Sequence, residues 1–173
     1  MQLLDIFKQV TTFVFDVDGV LTDGTLLVMP NGLMARRMSI KDGYALQLAV
    51  KKGYRIIIIS GGNSPEVKDR LEKLGVDNVF MGVKNKKELL ENYLVQKNID
   101  RQHVLFMGDD IPDYDVMQLT ALPCCPADAA EEIKQVSKYI SPIKGGEGCV
   151  RDVIEKVLKI KGDWEINTVI QSR

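Results

Sequence analysis

Short runs of consecutive apolar residues alternate along the chain with segments in which apolar residues recur every three or four positions. Continuous apolar runs of about four to eight residues predict strands that are buried on both faces. Five such strands are predicted, at 12–15, 54–59, 76–81, 103–107 and 121–124. Helical spacing predicts helices at 44–52, 64–74, 86–97, 112–119, 129–136 and 147–160.

This succession of buried strands and helices favours an α/β fold, a three-layer, Rossmann-like parallel sheet with helices on both faces. In such sheets ligands bind beyond the carboxyl ends of the strands. Asp16, Ser60 and Asp109 each lie just past the end of a predicted strand. We therefore expect these three side chains to line one site.

The segment 25–39 interrupts the succession. It is predicted to form a β-hairpin with Pro30-Asn31-Gly32 in its turn. Because it directly follows the first acidic residues, we expect a small flap over the site and no large cap domain. No repeat or linker divides the chain, so residues 1–173 are predicted to form a single domain. The tail, 162–173, is predicted to be either disordered or a docking segment.

The charge balance and the cysteines limit the partners and the compartment. The 173 residues carry 23 basic and 24 acidic side chains, a net charge of −1, whereas a nucleic-acid surface needs a clear basic excess. The longest apolar run, at 56–59, is too short to span a bilayer, and the first residues lack the pattern of a signal peptide. The three cysteines define no disulfide framework. We therefore expect a cytoplasmic protein with no nucleic-acid or membrane partner.

Two pairs of carboxylates provide the candidate chemistry. Asp16 and Asp18 follow the first strand, and Asp109 and Asp110 follow the strand at 103–107. Crowded carboxylates repel one another unless a cation offsets their charge. Mg²⁺ takes a few carboxylate ligands and completes its shell with water and substrate phosphate. Aspartates can also cap helices or turns, but two pairs after two apolar strands favour a metal site. A carboxylate can in addition act as a nucleophile, or as a general acid and base.

A phosphate site also needs hydrogen-bond donors. Ser60, Gly61 and Gly62 offer a hydroxyl and flexible backbone N–H groups before a helix. Lys86 begins a helix and can hold a phosphate oxygen as a point charge. Each feature is common on its own, so their weight comes from occurring together with the carboxylates.

Other catalytic classes have less support. His103 is the only histidine and lies at the start of a strand, away from the expected site, which disfavours histidine-nucleophile and Ser-His-Asp mechanisms. There is no P-loop motif, and the cysteines lack zinc-ligand spacing. Cys124 and Cys125 are expected to pack in or beside the core.

The motifs resemble those of the haloacid dehalogenase superfamily. The matching residues are Asp16-Val17-Asp18-Gly19-Val20-Leu21-Thr22, Ser60, Lys86 and Gly108-Asp109-Asp110. Within that superfamily, the segments 13–24, 41–44, 107–117 and 144–148 resemble the capless 3-deoxy-D-manno-octulosonate 8-phosphate phosphatases. The resemblance spans roughly residues 13–160.

This resemblance implies a role for each matched residue. Asp16 would be the nucleophile that forms an aspartyl-phosphate, and Asp18 the general acid and base. Mg²⁺ would be bound by Asp16, by Asp109 and by the backbone carbonyl of Asp18, with Asp110 and Asp113 supporting that shell. The residues that would bind the phosphoryl group or substrate are Ser60, Gly61, Lys86 and Asp18.

The resemblance also implies an assembly. Capless members are tetramers in which a neighbouring subunit helps to close the site, so we expect a homotetramer with the hairpin at 25–39 and the C-terminal segment at subunit contacts. Lys144 and the glycines of the segment 144–148 would then have a place there. Gly62 departs from the pattern, because many members carry at this position an arginine, and a related nonulosonate branch a glutamate, that would face the sugar. The glycine argues against the glutamate branch.

Three hypotheses follow. The first is a phosphatase for a 2-keto-3-deoxy sugar-acid phosphate, preferably 3-deoxy-D-manno-octulosonate 8-phosphate. The second is a phosphatase for 2-keto-3-deoxynononate 9-phosphate or N-acylneuraminate 9-phosphate. The third is a catalytically silent phosphate-binding assembly module, which the presence of all the reactive residues disfavours. Arg70, Lys41 and Arg151 are candidates to bind a substrate carboxylate, although each is equally consistent with a surface ion pair.

Overall fold

The structure, a computed structural model, describes residues 2–171. Its strands in chain order are β1 (Thr12–Phe15), β2 (Leu27–Val28), β3 (Met34–Ala35), β4 (Arg55–Ile59), β5 (Asn78–Phe80), β6 (Val104–Met107), β7 (Leu122–Cys125) and β8 (Tyr139–Ile140). Six of them form a sheet in the order β5-β4-β1-β6-β7-β8, and every neighbouring pair is parallel. The predicted parallel sheet is confirmed.

Helices cover both faces of this sheet. In chain order they are α1 (Leu3–Gln9), α2 (Ile40–Lys51), α3 (Pro65–Lys73), α4 (Lys86–Gln96), α5 (Tyr114–Met117), α6 (Glu131–Val136) and α7 (Cys149–Lys161). Alternate residues of β1 point to opposite faces. Phe13 and Phe15 therefore pack with α1, α2, α3 and α7, whereas Val14 packs with α4, α5 and α6. This confirms the three-layer, Rossmann-like arrangement. Within residues 2–171 no helix has the length and apolar character needed to cross a membrane.

The register of the central strands brings three segments of the chain to one edge. Phe15 of β1 is level with Ile58 of β4 and with Met107 of β6. The polar residues that follow these strands therefore emerge side by side at the carboxyl edge of the sheet, as expected from the sequence.

Several elements differ from the prediction. α1 and β8 were not predicted, and β8 has only two residues, which are defined by their pairing with β7. α2 begins at Ile40, before the predicted start at residue 44, and includes the buried Gly43. The segment 112–119 is a short turn followed by α5. α7 begins at Cys149 because Gly148 has a φ of +120°, which is not helical.

β2 and β3 form the predicted hairpin, separate from the main sheet. Gly32 in its turn has a φ of +80°, a conformation that glycine adopts readily. Leu27 and Val28 are 65% and 69% exposed. The hairpin is therefore a small apolar insert, and residues 2–171 contain no larger cap.

The tail after α7 packs against α2 of the same chain. Trp164 lies edge-on to Tyr44, with ring centroids 6.1 Å apart, and the guanidinium of Arg151 lies 5.4 Å from the Trp164 ring. The backbone N of Asn167 donates a hydrogen bond of 3.1 Å to the hydroxyl of Tyr44. The tail thus packs against the rest of its own chain as far as residue 171, and residues 172–173 of the predicted tail lie outside the described residues.

Candidate active site

The chain turns sharply where β1 ends. Asp16 keeps an extended backbone, with φ −72° and ψ 168°, and the following turn, Val17–Leu21, is interrupted by non-helical backbone angles at Asp18 and Gly19. Gly19 in this turn has a φ of +85°. A Cβ at position 19 would also overlap the carboxylate of Asp109. Glycine is therefore required at this position for the loops after β1 and β6 to approach each other.

A buried lysine joins three acidic residues at the carboxyl edge. Lys86, the first residue of α4, has its Nζ 2.9 Å from Asp16 Oδ1 and 2.7 Å from Asp113 Oδ1. Asp113 Oδ2 accepts a hydrogen bond of 3.1 Å from the backbone N of Asp109. Lys86, Asp16 and Asp113 are all buried. The network therefore fixes the loops after β1, β5 and β6 relative to one another.

The acidic groups of this network are difficult to ionise together. Burial, with repulsion from Asp113, raises the pKa of Asp16 to about 7 against the opposing charge of Lys86. Burial and repulsion from Asp16 and Asp113 raise the pKa of Asp109 to about 8. Burial alone would lower the pKa of Lys86, but its carboxylate partners outweigh that effect and the net shift is upward. The site therefore holds more acidic groups than one lysine compensates.

Three carboxylates are close enough to bind one metal ion. One oxygen from each of Asp16, Asp109 and Asp113 lies within 4.8 Å of the other two. A divalent cation would offset their repulsion, and carboxylate oxygens are the protein ligands that Mg²⁺ prefers. The donor set therefore fits Mg²⁺. It includes Asp113, which we expected only to support the shell.

The carboxylate of Asp18 is directed towards the hairpin. Arg36 Nε lies 2.6 Å from Asp18 Oδ1, and Arg36 Nη2 lies 3.4 Å from Asp18 Oδ2. The Arg36 side chain is 9% exposed, whereas that of Asp18 is 40% exposed. Asp18 is thus open to the cavity while a buried guanidinium holds it.

The loop after β4 supplies the hydroxyl and the glycines. Ser60 is buried, and its Oγ accepts a hydrogen bond of 3.1 Å from Gly62 N. Gly82 N donates to Gly62 O at 2.9 Å, which ties this loop to the segment after β5. A cavity of about 280 Å³ is lined by Asp16, Asp18, Gly24, Ser60, Gly61, Gly62, Lys86, Asp109, Asp110, Pro112 and Asp113. The structure therefore brings the residues singled out from the sequence together around one cavity.

Other polar residues considered from the sequence have separate contacts. Asp110 borders the cavity, but its Oδ1 accepts a hydrogen bond of 2.8 Å from Ile111 N and so caps the following turn. His103 Nδ1 lies 2.8 Å from the carbonyl oxygen of Gln9, at the opposite edge of the sheet. Arg151 forms an ion pair of 3.1 Å with Glu155. The cysteines at 124, 125 and 149 are free and buried.

The segment 144–148 contacts the loop that carries Asp16 within the same chain. Gly146 N donates a hydrogen bond of 2.9 Å to Val20 O. A Cβ on Gly145 would overlap the carbonyl oxygen of Gly19, and a Cβ on Gly146 would overlap the backbone N of Asp23. The glycines therefore permit a close approach that fixes this loop. The resemblance had given them a place at subunit contacts, and the intrachain contact was missed.

Arg36 was also missed. An arginine in a predicted hairpin is most simply explained as a solvated side chain. The only signal in the sequence is that the hairpin directly follows the first acidic pair.

The fold and the acidic site define a haloacid dehalogenase-like hydrolase, and the model of that family matches residues 78–151. The chain is 31% identical over 155 residues to the 3-deoxy-D-manno-octulosonate 8-phosphate phosphatase of Escherichia coli K12, covering 90% of this chain and 82% of the relative. The identity to the Yersinia pestis enzyme is 29% over 143 residues, covering 83% of this chain and 76% of the relative. The chain belongs to this phosphatase family.

Solved structures of the family have the same fold. The Moraxella catarrhalis phosphatase, in complex with a magnesium ion, a phosphate ion and a KDO (3-deoxy-D-manno-octulosonate) molecule, superposes with a TM-score of 0.87 at 30% identity, covering 92% of this chain and 93% of that one. The Yersinia pestis phosphatase superposes with a TM-score of 0.90 at 26% identity, covering 93% and 87%.

Proposed function

We propose that the protein is a Mg²⁺-dependent phosphatase that hydrolyses 3-deoxy-D-manno-octulosonate 8-phosphate, a 2-keto-3-deoxy sugar-acid phosphate, to KDO and phosphate. The observation that carries the proposal is the buried Asp16 beside Lys86 within a carboxylate cluster that fits Mg²⁺. Relatives that act on this substrate share 31% identity over 90% of the chain. The Moraxella catarrhalis relative binds magnesium, phosphate and KDO.

Asp16 is the nucleophile in the proposed reaction. Its carboxylate attacks phosphorus, so the bond from Asp16 to phosphorus forms as the bond from phosphorus to the ester oxygen breaks. Asp18 gives a proton to the departing alcohol oxygen. In the second step Asp18 takes a proton from the water that attacks the aspartyl-phosphate, and phosphate leaves as Asp16 is restored. The open side of Asp18 suits both transfers, because it borders the cavity.

The proposed metal ligands are the carboxylates of Asp16 and Asp109, two of the three in the cluster, and the backbone carbonyl of Asp18. Both oxygens of Asp113, the third carboxylate, already have partners in Lys86 and in the backbone of Asp109, so Asp113 is proposed, with Asp110, to support the ligands. When bound, Mg²⁺ screens the charge of Asp16 from the anionic phosphate and stabilises the charge of the transition state. Asp113 contacts both Lys86 and the backbone of Asp109, so it keeps these two groups in register with the nucleophile.

Ser60, Gly61 and Lys86 are proposed to bind the phosphoryl group. Lys86 Nζ lies 2.9 Å from Asp16 Oδ1, so a phosphoryl group attached to Asp16 has the ammonium beside it. The hydroxyl of Ser60 and the backbone of Gly61 line the same cavity and offer further donors.

The proposed assembly is a homotetramer in the cytoplasm, with each site completed by a neighbouring subunit. Support comes from the hairpin, where apolar side chains remain exposed on the isolated subunit, among them Leu27, Val28 and Met34. Several exposed apolar side chains on one short insert favour an interaction site there. The free, buried cysteines agree with a reducing compartment.

A substrate panel tests the reaction and the sugar. Steady-state phosphate release is measured with the eight-carbon substrate, with 2-keto-3-deoxynononate 9-phosphate and with N-acetylneuraminate 9-phosphate, in Mg²⁺ and in EDTA. We expect the highest kcat/KM for the eight-carbon substrate and no turnover in EDTA. A wide margin for a nine-carbon substrate would transfer the assignment to the second hypothesis. If no substrate releases phosphate with Mg²⁺, the silent binding module is favoured.

A further inference from the structure

Arg36 places a guanidinium against the residue that serves as the proposed general acid. Its Nε and Nη2 face the two oxygens of Asp18, and its Nη1 lies 3.3 Å from the carbonyl oxygen of Met34. Arginine has about five N–H donors, and these three contacts use three of them. One N–H on each Nη atom therefore has no partner among the described residues. The outer edge of a guanidinium consists of one N–H from each Nη atom, and such an edge binds a carboxylate bidentately.

Among the described residues that line the cavity at the carboxyl edge, no unpaired basic side chain is available to bind a second anionic group. This cavity is lined by five aspartates and one lysine. That lysine, Lys86, is already paired with Asp16 and Asp113. A substrate that carries a carboxylate in addition to its phosphate therefore needs a positive group outside this cavity.

Arg36 borders a second cleft beside that cavity. The cleft lies between the hairpin and α3 and has a volume of about 410 Å³, with Met38, Ser64 and Arg70 among its other lining residues. This volume is within the roughly 300–1,000 Å³ of small-molecule sites. Asp18 lines the first cavity and Arg36 lines the second. Their ion pair therefore stands where the two spaces meet.

Gly62 leaves the room for this ion pair. A Cβ at position 62 would lie 2.9 Å from Asp18 Oδ2 and 3.2 Å from Arg36 Nη2. The backbone at Gly62 is not in the left-handed region, so the requirement for glycine is one of space. The pair occupies the volume that a side chain at position 62 would enter.

We infer that Arg36 determines specificity, by binding a carboxylate of the leaving group with its outer edge while its inner edge orients Asp18. The leaving group extends from the cavity into the cleft between the hairpin and α3. This inference rests on the proposed function, since it assigns a site for the acid group of that substrate class. Phosphate monoesters whose alcohol part carries a carboxylate are then preferred over neutral sugar phosphates.

The test separates carboxylate binding from phosphate chemistry. Hydrolysis of p-nitrophenyl phosphate, which has no carboxylate, reports on the phosphoryl site, and KDO is added as a competitive inhibitor. For Arg36→Gln we expect the inhibition constant of KDO to rise about 10- to 100-fold, the loss typical of a charge-assisted hydrogen-bond pair. The KM for p-nitrophenyl phosphate should stay within about threefold, since that substrate does not use the outer edge. Its kcat should fall, because the variant also loses the inner edge that orients Asp18, so the inhibition constant and KM are the readouts. Arg36→Lys should fall between, because it keeps the charge and loses the fork.

Two further variants complete the design. Arg37→Gln is the matched control, because Arg37 is the next residue, is 76% exposed and pairs only with Asp23 among the described residues. It should leave the inhibition by KDO unchanged. Gly62→Ala keeps Arg36 but displaces the pair, and should weaken inhibition by KDO several-fold. It is informative even if Arg36→Gln does not fold, which thermal unfolding checks.

Inhibition by KDO that is the same in Arg36→Gln, or in a folded Gly62→Ala, as in the unmutated enzyme would overturn the inference. An equal rise in the inhibition constant of KDO and in the KM for p-nitrophenyl phosphate would also overturn it, because Arg36 would then affect both ligands through Asp18 and would bind no carboxylate. Failure of the proposed function is distinguishable, since it appears in the unmutated enzyme as absence of turnover of the eight-carbon substrate. The nine-carbon acids serve as inhibitors in the same assay if one of their phosphates is the better substrate.

Discussion

Asp16 is the residue on which the proposed chemistry depends most directly. It is the only one of the cavity aspartates that contacts Lys86 and also directly follows β1, and one of its oxygens belongs to the cluster that fits Mg²⁺. Burial already disfavours its charge in the folded protein. Replacing it by the isosteric amide therefore removes the nucleophile at little cost to the fold.

We expect Asp16→Asn to lower kcat for phosphate release by at least about a thousandfold, as the loss of a nucleophile does in other enzymes. Circular dichroism and thermal unfolding should show an intact fold. Asp77→Asn changes an exposed aspartate in the same way and should retain full activity. Undiminished turnover by Asp16→Asn would remove Asp16 as the nucleophile.

At the scale of elements, α2 and α7 meet at a buried carboxylate. Asp42, in the first turn of α2, accepts a hydrogen bond of 2.7 Å from the backbone N of Arg151 in the first turn of α7. Its other oxygen has no partner among the described residues. Burial raises its pKa to about 7, although the contacts with Arg151 act in the opposite direction. The folded state therefore holds a proton on Asp42 at a pH where the unfolded chain has released it.

This carboxyl should make stability depend on pH. The pKa of Asp42 is raised in the folded state above the unfolded value of 3.8. Its contribution to the free energy of unfolding is therefore fully present below the unfolded pKa and is lost as the pH rises through the folded pKa of about 7. Between pH 5 and pH 8 the loss from this one group is about 2–3 kcal/mol. Asp42→Asn removes it, so urea unfolding should show the variant gaining about that amount relative to the unmutated protein over this range. Asp69→Asn, at an exposed position, should run parallel to the unmutated protein, and parallel curves for Asp42→Asn would show that Asp42 does not titrate in this way.

The packing of the segment 144–148 on the loop after β1 is a second feature at this scale. A methyl group at Gly145 has no space against the carbonyl of Gly19. We expect Gly145→Ala to destabilise the protein by about 1–3 kcal/mol and to lower kcat about tenfold or more by displacing the loop that carries Asp16. Gly53→Ala is the control, since Gly53 has a left-handed φ of +85° but open space around it. That variant should lose stability and keep kcat, whereas equal kcat values in both variants would contradict a role for the 144–148 contact in the site.

At the scale of the whole molecule, the proposed tetramer depends on the hairpin. Leu27 and Val28 are exposed in the isolated subunit. A charged residue at either position should therefore change the stability of a single subunit little, but should strongly destabilise an apolar interface between subunits. Native mass spectrometry of the unmutated protein should give four subunits of 19.4 kDa each. Val28→Asp should shift the mass towards one or two subunits and lower kcat/KM. Val95→Asp, at an 82% exposed position on α4, should leave the mass unchanged, and a monomeric unmutated protein would contradict the shared site.

Local sequence patterns determined most of the strands and helices of this protein and the set of its reactive residues. The apolar run of β1 and the aspartates after it could be identified from the sequence, because a buried strand and its end are both indicated by consecutive residues. Ser64 was likewise recognisable as the N-cap of α3, and its Oγ accepts a hydrogen bond from Val67 N at 3.4 Å. The sheet, the hairpin and the set of reactive residues therefore followed from the sequence.

Contacts between distant positions were decided only by the tertiary structure. Arg36 meets Asp18 across 18 positions, and Gly145 meets Gly19 across most of the length of the chain. Asp113 joins the carboxylate cluster only because the turn after β6 folds back on Lys86. No periodicity or propensity records such contacts, since they depend on how the layers pack and how the loops approach at the carboxyl edge. The sequence by itself thus determined the elements and the reactive groups, and packing decided which charge faces which partner.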